Sequence, residues 1–426
     1  MKKKTRLIIL GGGISGLSLA WKLSQQSQNE ILLLEKEERV GGLMGSWESM
    51  PFFFERGPRM FQEGRSKALL ELIHELGLTN EIIYADKAAQ GRHILYKQKL
   101  HKFPSNPFAF LFSPLTRPLL LALFTEWKRA PAREEESIWD FAVRRFNQKT
   151  AERMFDPLVV GIYAGDMKRL SMSACFPHVK RWEEEHGSLT RAFFSKKKKA
   201  PSTLFSLRGG SEQLLETLRE KLKGKILHGQ SVQSLHTSSN GITIITTEGQ
   251  WQADRVFSAL PPYELCKLLS LQMNFPTRDI ATVNIGFHSP VLTKKGFGYL
   301  VPAHANEDVF GVIFDSNLFP QQNRSVEETR LTVMLSPGGS EEKRALNALE
   351  RHLHIHKKPD FVGVTKIARG LPQYELGHAS RIQALQHAAH AFSPHLHLVG
   401  NYLSGASVND AIATSKQMAA NLFGVR

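Results

Sequence analysis

The chain has 426 residues, 42% of them hydrophobic and 22% charged, a composition that excludes intrinsic disorder and, at roughly 100 to 200 residues per domain, predicts two or three domains. Lysine and arginine outnumber the acids 55 to 40, for a net charge of +15, so anionic partners are favoured: nucleic acid, anionic lipid or a polycarboxylate substrate. The basic residues are spread along the chain and the single tight run, Lys196 to Lys199, has no zinc spacing or RNP-like aromatics beside it, which argues against nucleic acid.

Cys175 and Cys266 are the only cysteines, too distant for a CxxC pair, so no disulfide framework, zinc or iron–sulfur site is implied and a reducing compartment is expected. Met1 to Leu7 imitates the start of a signal peptide. The apolar run after it breaks at Gly11 without a cleavage pattern, so a cytoplasmic protein is expected.

In chain order, Arg6 to Leu10 reads as a buried strand, Ser15 to Ser24 as a helix and Ile31 to Leu34 as a second strand, the βαβ start of a parallel sheet. Lys67 to Gly77 has helical spacing with Gly77 as its cap, and Arg92 to Tyr96 reads as a strand. Residues 101–200 look mostly helical. Within them Pro107 to Trp127 is apolar but broken by Pro114, Arg117 and Pro118, too interrupted to span a bilayer. Flanked by Lys102, Lys128 and Arg129, it suits a segment lying in the headgroup region of an anionic membrane, or a buried helix pair. Ser211 to Leu222 is helical, and Ile226 to Leu227, Gly241 to Thr246 and Trp251 to Phe257 are strands. Alternation over 280–335, as in Ala281 to Phe287 and Val309 to Phe314, predicts an antiparallel sheet to which Phe361 to Arg369 adds a strand. Leu396 to Val399 and Val408 to Leu422 close the chain as strand, glycine loop and helix.

The expected fold class is α/β, α+β overall, with a discontinuous Rossmann-like cofactor domain (1–80, 201–265 and 395–426), an antiparallel-sheet substrate domain (81–100 and 266–394) and a helical insertion (101–200) that is the membrane-binding candidate.

Gly11, Gly12, Gly13, Ile14, Ser15 and Gly16 satisfy GxGxxG directly after a strand and opening a helix. Gly11 permits the tight turn, Gly13 lets a pyrophosphate approach the backbone, and Gly16 lets helix and strand pack. The helix N-terminus supplies N–H groups for the phosphates, and Glu35, ending the second strand, is placed for the ribose hydroxyls, with Lys36 beside it. NAD and FAD share this unit. Arg39, Gly41 and Gly42 follow at once, a second glycine approach that resembles the RxGG continuation of the flavin-dependent amine oxidase superfamily and favours FAD, held non-covalently.

Further segments resemble the protoporphyrinogen oxidase family within that superfamily, flavoenzymes that aromatise a porphyrinogen late in haem synthesis. These are Phe54 to Arg59, with Arg56 in place of the usual apolar residue; Asp156 to Asp166; Gly296 to Pro302; Pro372 to His378; Gly400 to Tyr402; and Gly405 to Asp410. They run in order over nearly the whole chain. The resemblance implies cofactor contacts at Gly57, Pro58, Arg59, Met60, Val232, Ser407 and Val408, and substrate contacts at Arg59, Arg92, Leu158, Gly161, Phe297 and Leu300. A porphyrinogen is a large apolar ring carrying propionates, so apolar walls and a few cations suit it. Arg59 and Arg92 would hold propionates, Phe297 and Leu300 would sandwich pyrroles, and Gly161 would let the ring sit against backbone. Val160 stands where some members carry a basic residue, leaving protoporphyrinogen and coproporphyrinogen both open.

Oxygen as electron acceptor is likewise what the resemblance implies. No catalytic base is required by the residues. The competing expectations are an amine oxidase or carotenoid desaturase on the same fold, and a flavin- or porphyrin-binding protein without turnover. The alternating histidines His352, His354 and His356, and the pair His395 and His397, are not read as a metal site, because alternate residues diverge on a helix. No G-x-S-x-G or HExxH pattern points to a hydrolase.

Overall fold

A computed structural model describes residues 5–423 apart from 27–28, 48–50, 105, 133, 196–202 and 239–240. Met1 to Lys4 and the lysine run Lys196 to Lys199 lie outside the described residues.

The first strand, Arg6–Leu10, is central in a five-stranded parallel sheet ordered 226–227, 30–34, 6–10, 255–258, 396–398. Strand residues alternate between two buried faces, which is why these strands read as unbroken apolar runs. Leu7, Ile9, Leu33 and Phe257 pack with helices Ile14–Gln26 and Val408–Phe423 through Leu17, Trp21 and Ile412. Ile8, Leu10, Leu34 and Val256 pack on the other face with Ile242 and Ile244 of a three-stranded antiparallel sheet, and with Leu385 of helix His378–Phe392. The segment Trp251 to Phe257, expected as one strand, is two: Gly249–Ala253 belongs to the antiparallel sheet and Arg255–Ser258 to the parallel one. Asp254 makes the corner, its carboxylate accepting from the Arg6 amide at 2.6 Å.

A second, seven-stranded sheet runs in the order 361–372, 277–287, 329–335, 309–313, 298–300, 92–96, 99–102. Its neighbours are antiparallel except 298–300 with 92–96, which are parallel with Gly298 opposite Arg92. The strands expected as antiparallel, over 280–335 and 361–369, do pair so; the parallel junction enters with strand 92–96. Strands so far apart in the chain are not joined by a hairpin, so no turn dictates their direction. One face, with Val283, Ile285, Leu331 and Val333, packs on Ala345, Ala348 and Leu349 of helix Glu341–Leu353. The opposite face carries buried polar groups, Thr282, Asn284 and Thr332. That face turns toward the site.

Between strands 99–102 and 204–207 lie short helices from Pro107–Phe112 to Leu189–Ser195. A π-helical turn, Ala151–Phe155, runs directly into helix Asp156–Tyr163. Arg145, Glu126 and Glu183, all fully buried, join three of the helices, with Arg145 Nη1 3.2 Å from Glu126 and Arg145 Nε bonded to Glu183. Among the described residues no helix is long and apolar enough to cross a membrane.

Candidate active site

Three parallel strands, 6–10, 255–258 and 396–398, end at one edge, where α/β sheets hold their ligands. Gly11 turns the chain there with φ +98°, a conformation glycine adopts without strain, and its amide donates to Leu34 O at 2.8 Å. A Cβ on Gly16 would stand 2.0 Å from Gly11 O, whereas one on Gly13 meets nothing within 4 Å. Gly16 is therefore occupied by packing and Gly13 faces open space. That open backbone, at the N-terminus of helix 14–26 with its unpaired first-turn N–H groups, fits the pyrophosphate of a dinucleotide.

Glu35 is buried and also holds the loop: Oε2 accepts from the Gly12 amide at 2.6 Å and Oε1 from the Glu37 amide at 2.9 Å. A carboxylate has about four acceptor positions, so two remain for ribose hydroxyls. Lys36 is exposed and lies 3.6 Å from Glu37. Arg39 donates to the carbonyls of Val40 (2.7 Å), Gly42 (3.0 Å) and Met44 (2.6 Å). It clamps the 40–44 turn, in which the Gly41 amide donates to Gly12 O at 2.7 Å and a Gly42 Cβ would lie 3.3 Å from the Gly13 Cα. Val232 begins a strand two residues after Gln230, whose amide donates to Glu35 O. Ser407 caps helix 408–423, its hydroxyl donating a hydrogen bond to Asp410 Oδ2 (2.6 Å) and accepting one from the Asp410 amide (3.1 Å). Val408 is buried with Leu17.

The sequence singled out the segment Gly405 to Asp410 but not what Asn409 does within it. Its Oδ1 accepts from the Ala68 and Leu69 amides (2.9 and 3.3 Å), capping helix Lys67–Glu75. An Asn cap supplied from a residue 341 positions away in the chain leaves no local signal.

On the other side of the glycine loop, Gly57 is required by close packing, since a Cβ there would meet Leu43 O at 2.1 Å. Pro58 is exposed. Arg59 is buried and paired, its Nη1 3.1 Å from Asp315, whose other oxygen accepts from Thr332 Oγ1 at 2.8 Å. Asp315 was also invisible in the sequence. The guanidinium has five N–H donors, and the one facing Asp315 leaves others for a ligand. Arg56, the departure from the family pattern, stacks its guanidinium 3.4 Å over the Trp47 ring, a cation–π contact that accommodates its charge.

Met60 and Phe297 pack in one cluster with Ile313 and Leu318. The Arg92 guanidinium lies 5.2 Å from the centre of the Phe297 ring. Leu300 meets Gly161 instead: a Cβ on Gly161 would come 2.4 Å from Leu300 Cδ2, so the gap the glycine leaves is filled by this side chain. Helix 156–163 is tied down at both ends, Asp156 accepting from the Ala303 amide at 2.7 Å and Arg278 Nε donating to Ala164 O at 2.9 Å. Leu158 and Ile162 stay exposed on it, at 36% and 44%. The structure thus brings Met60 to Phe297 and Arg92 over the same ring, pairs Arg59 with Asp315, and in a separate contact brings Gly161 to Leu300.

Glu55, next to this loop, is fully enclosed. Its carboxyl accepts from the Ser211 amide (3.0 Å) and from Ser46 Oγ (2.9 Å), joining the strand pair 46–47 and 54–55 to the N-terminus of helix Gly210–Lys221. Burial pushes its pKa up from 4.5 to about 7, against the lowering by Ser211, Ser46 and Arg59. A raised pKa means the folded state prefers the protonated acid. This contribution is fully present below pH 4.5 and is lost as pH rises through 7, by about 3 kcal/mol in all. Glu55→Gln, which mimics the protonated form, is expected to flatten the fall in melting temperature between pH 5 and 7. Thermal melts across that range check it, and an unchanged slope refutes it.

Of the histidines, His352 and His397 serve packing, while His354, His356 and His395 are exposed. His352 Nδ1 is 2.9 Å from the Tyr299 hydroxyl, and His397 stacks on Phe257 at 5.1 Å. Among the described residues no group of three or more His, Cys, Asp or Glu is arranged to hold a metal.

A glycine turn with an open face over Gly13, a buried acid with acceptor positions to spare and a second glycine turn clamped beside it fit a dinucleotide cofactor. The family model for flavin containing amine oxidoreductases matches residues 14–422, and the chain belongs to that family of FAD-dependent oxidoreductases. Proteins named protoporphyrinogen oxidase from Bos taurus and Homo sapiens are each 29% identical over 98% of this chain and 98% of their own. A protein named coproporphyrinogen III oxidase from Bacillus subtilis is 26% identical over 97% of both. A solved structure from an Exiguobacterium species shares the fold, with TM-score 0.88 over 100% of both chains at 23% identity. Cyclohexylamine oxidase from Brevibacterium oxydans does so at TM-score 0.73 over 99% of both, at 14% identity.

Proposed function

We propose that this flavoenzyme oxidises protoporphyrinogen IX to protoporphyrin IX with oxygen as acceptor, in haem biosynthesis. The observation that carries the reading is a cation on an apolar surface: Arg92 over Phe297, whose ring packs with Met60, the residue after the buried Arg59. The relatives named for this reaction, matched over nearly their whole length, support it.

FAD, when bound, accepts a hydride equivalent from a substrate carbon. The residues of the chain bind and orient. Arg92 and the free N–H groups of Arg59 hold propionates, Asp315 fixes the plane of the Arg59 guanidinium, and Phe297 supplies a flat apolar surface. Leu300 fills the hollow at Gly161, so it is the side chain that meets the ring there, with Leu158 beside it on helix 156–163. No side chain of the site is required to take a proton, because pyrrole N–H protons can pass to solvent. Mixing the FAD-loaded protein anaerobically with protoporphyrinogen is expected to bleach the flavin; an unchanged spectrum refutes the assignment. Coproporphyrinogen III is the second reading, favoured by the Bacillus subtilis relative, and the ratio of turnover on the two substrates decides.

The helices 107–112 and 117–126 present a face that water does not favour: Phe108 and Phe124 are 76% and 78% exposed, with Leu111, Phe112 and Trp127 beside them and Lys128 adjoining. This face is the peripheral membrane contact, on the cytoplasmic side. The protein is expected to sediment with anionic vesicles at low salt and to be released by high salt. Recovery in the supernatant at low salt rejects the contact.

A further inference from the structure

The turn Gln373 to His378 links strand Phe361–Pro372 to helix His378–Phe392 and touches both sides of the site. Gln373 Nε2 donates to Tyr163 O at 2.8 Å, at the C-terminal end of helix 156–163. The Tyr374 hydroxyl donates to Asn401 O at 2.7 Å, and His378 Nε2 to Tyr402 O at 2.9 Å. Because carbonyls only accept, His378 carries its proton on Nε2. The two rings lie 4.5 Å apart, centre to centre, and both residues are buried. Asn401 and Tyr402 open the short helical turn Asn401–Ser404, flanked by Gly400 and Gly405 at φ +150° and +144°, in the segment 400–405 that leaves the parallel sheet at its ligand-binding edge. Glycine at both ends gives so short a turn freedom to reorient, which the two donors restrict together with the packing of the buried Tyr402 ring.

We propose that Tyr374 and His378 are positioning residues: they fix the 400–405 loop against the flavin and, through Gln373, fix it relative to helix 156–163, so that flavin and substrate ring share one frame. The flavin half rests on family membership alone. The half concerning the substrate ring rests on the porphyrinogen reading.

The test uses the full-length holoenzyme and the variants Tyr374→Phe, His378→Ala and His378→Gln. It reads FAD affinity by flavin fluorescence, the visible flavin spectrum, melting temperature, and kcat and KM on protoporphyrinogen. Loss of one buried hydrogen bond predicts an FAD Kd about five- to tenfold higher for Tyr374→Phe and for His378→Ala. His378→Gln, which restores an N–H donor, is expected to return within about twofold of wild type. A shifted flavin spectrum and a kcat that falls more than KM rises accompany the loss. The proposal is overturned if affinity and spectrum stay at wild-type values in both donor-removing variants. It is equally overturned if affinity follows melting temperature across the series and His378→Gln recovers nothing. Should the wild type fail to oxidise any porphyrinogen while FAD affinity still follows the donor, the substrate reading fails and the brace on the flavin loop stands.

Discussion

Gly13→Ala is expected to leave the melting temperature of the FAD-free protein unchanged and to lower FAD affinity about 100-fold, the loss of roughly 3 kcal/mol of hydrogen bonding to the phosphates. The added methyl meets no protein atom within 4 Å, so folding does not register it. It occupies the space through which the pyrophosphate approaches the backbone. Gly16→Ala separates the two effects from the other direction. Its Cβ would stand 2.0 Å from the Gly11 carbonyl, a backbone atom that cannot swing aside, so the helix start must move and both stability and FAD binding fall. Calorimetry of the apoproteins with fluorescence titration of FAD distinguishes them. Wild-type FAD affinity in Gly13→Ala would show that the phosphates lie elsewhere.

Arg145→Met carries the largest expected loss of stability, about 3 kcal/mol, because it removes the cation between two carboxylates buried out of water. Glu126 would keep Leu189 and Thr190 amides at 2.9 and 3.1 Å, and Glu183 would keep Arg144 and Lys180 at 2.7 and 2.6 Å. These partners hold the effect at the lower end of the range for a broken buried pair. Urea denaturation measures it as a fall in the midpoint, and a variant as stable as wild type would mean that those partners neutralise both carboxylates unaided. The same change loosens the anchoring of helix 117–126, whose exposed Phe124 and neighbouring Trp127 form part of the proposed membrane face. Vesicle binding should therefore weaken with it.

The cofactor loop was legible because its requirements are local. Each of Gly11, Gly13 and Gly16 answers a constraint set within a few residues, and the strands around them are buried on both faces, which leaves apolar runs in the sequence. The sheet of 277–335 was legible for a similar reason, period-two alternation. What stayed hidden depends on partners far along the chain. Arg59 could be picked out, but not that Asp315, 256 positions away, faces it. Gly161 could be picked out as a place of close approach, but not that Leu300 makes the approach. Glu55, Asn409, Tyr374 and His378 act on backbone groups of remote segments, and a hydrogen bond to a backbone amide or carbonyl imposes no pattern on the sequence of its partner. Arg39 shows the limit in another form: its position after the second strand was informative, while its work on three carbonyls of the adjoining turn required coordinates.

The cap that Asn409 places on helix 67–75 also sets a timetable. Domains form from the N-terminal end during synthesis, at about 5–20 residues per second, and this cap joins residues 341 positions apart. The first βαβ unit therefore waits roughly 20–70 s on the ribosome before its edge strand 396–398 and covering helix 408–423 exist. During that interval Leu7, Ile9 and Leu17 lack the surface that later buries them, and contacts of such long range slow folding. Nascent chains stalled before residue 396 should be aggregation-prone and should depend on a holding chaperone until strand 396–398 and helix 408–423 have been made.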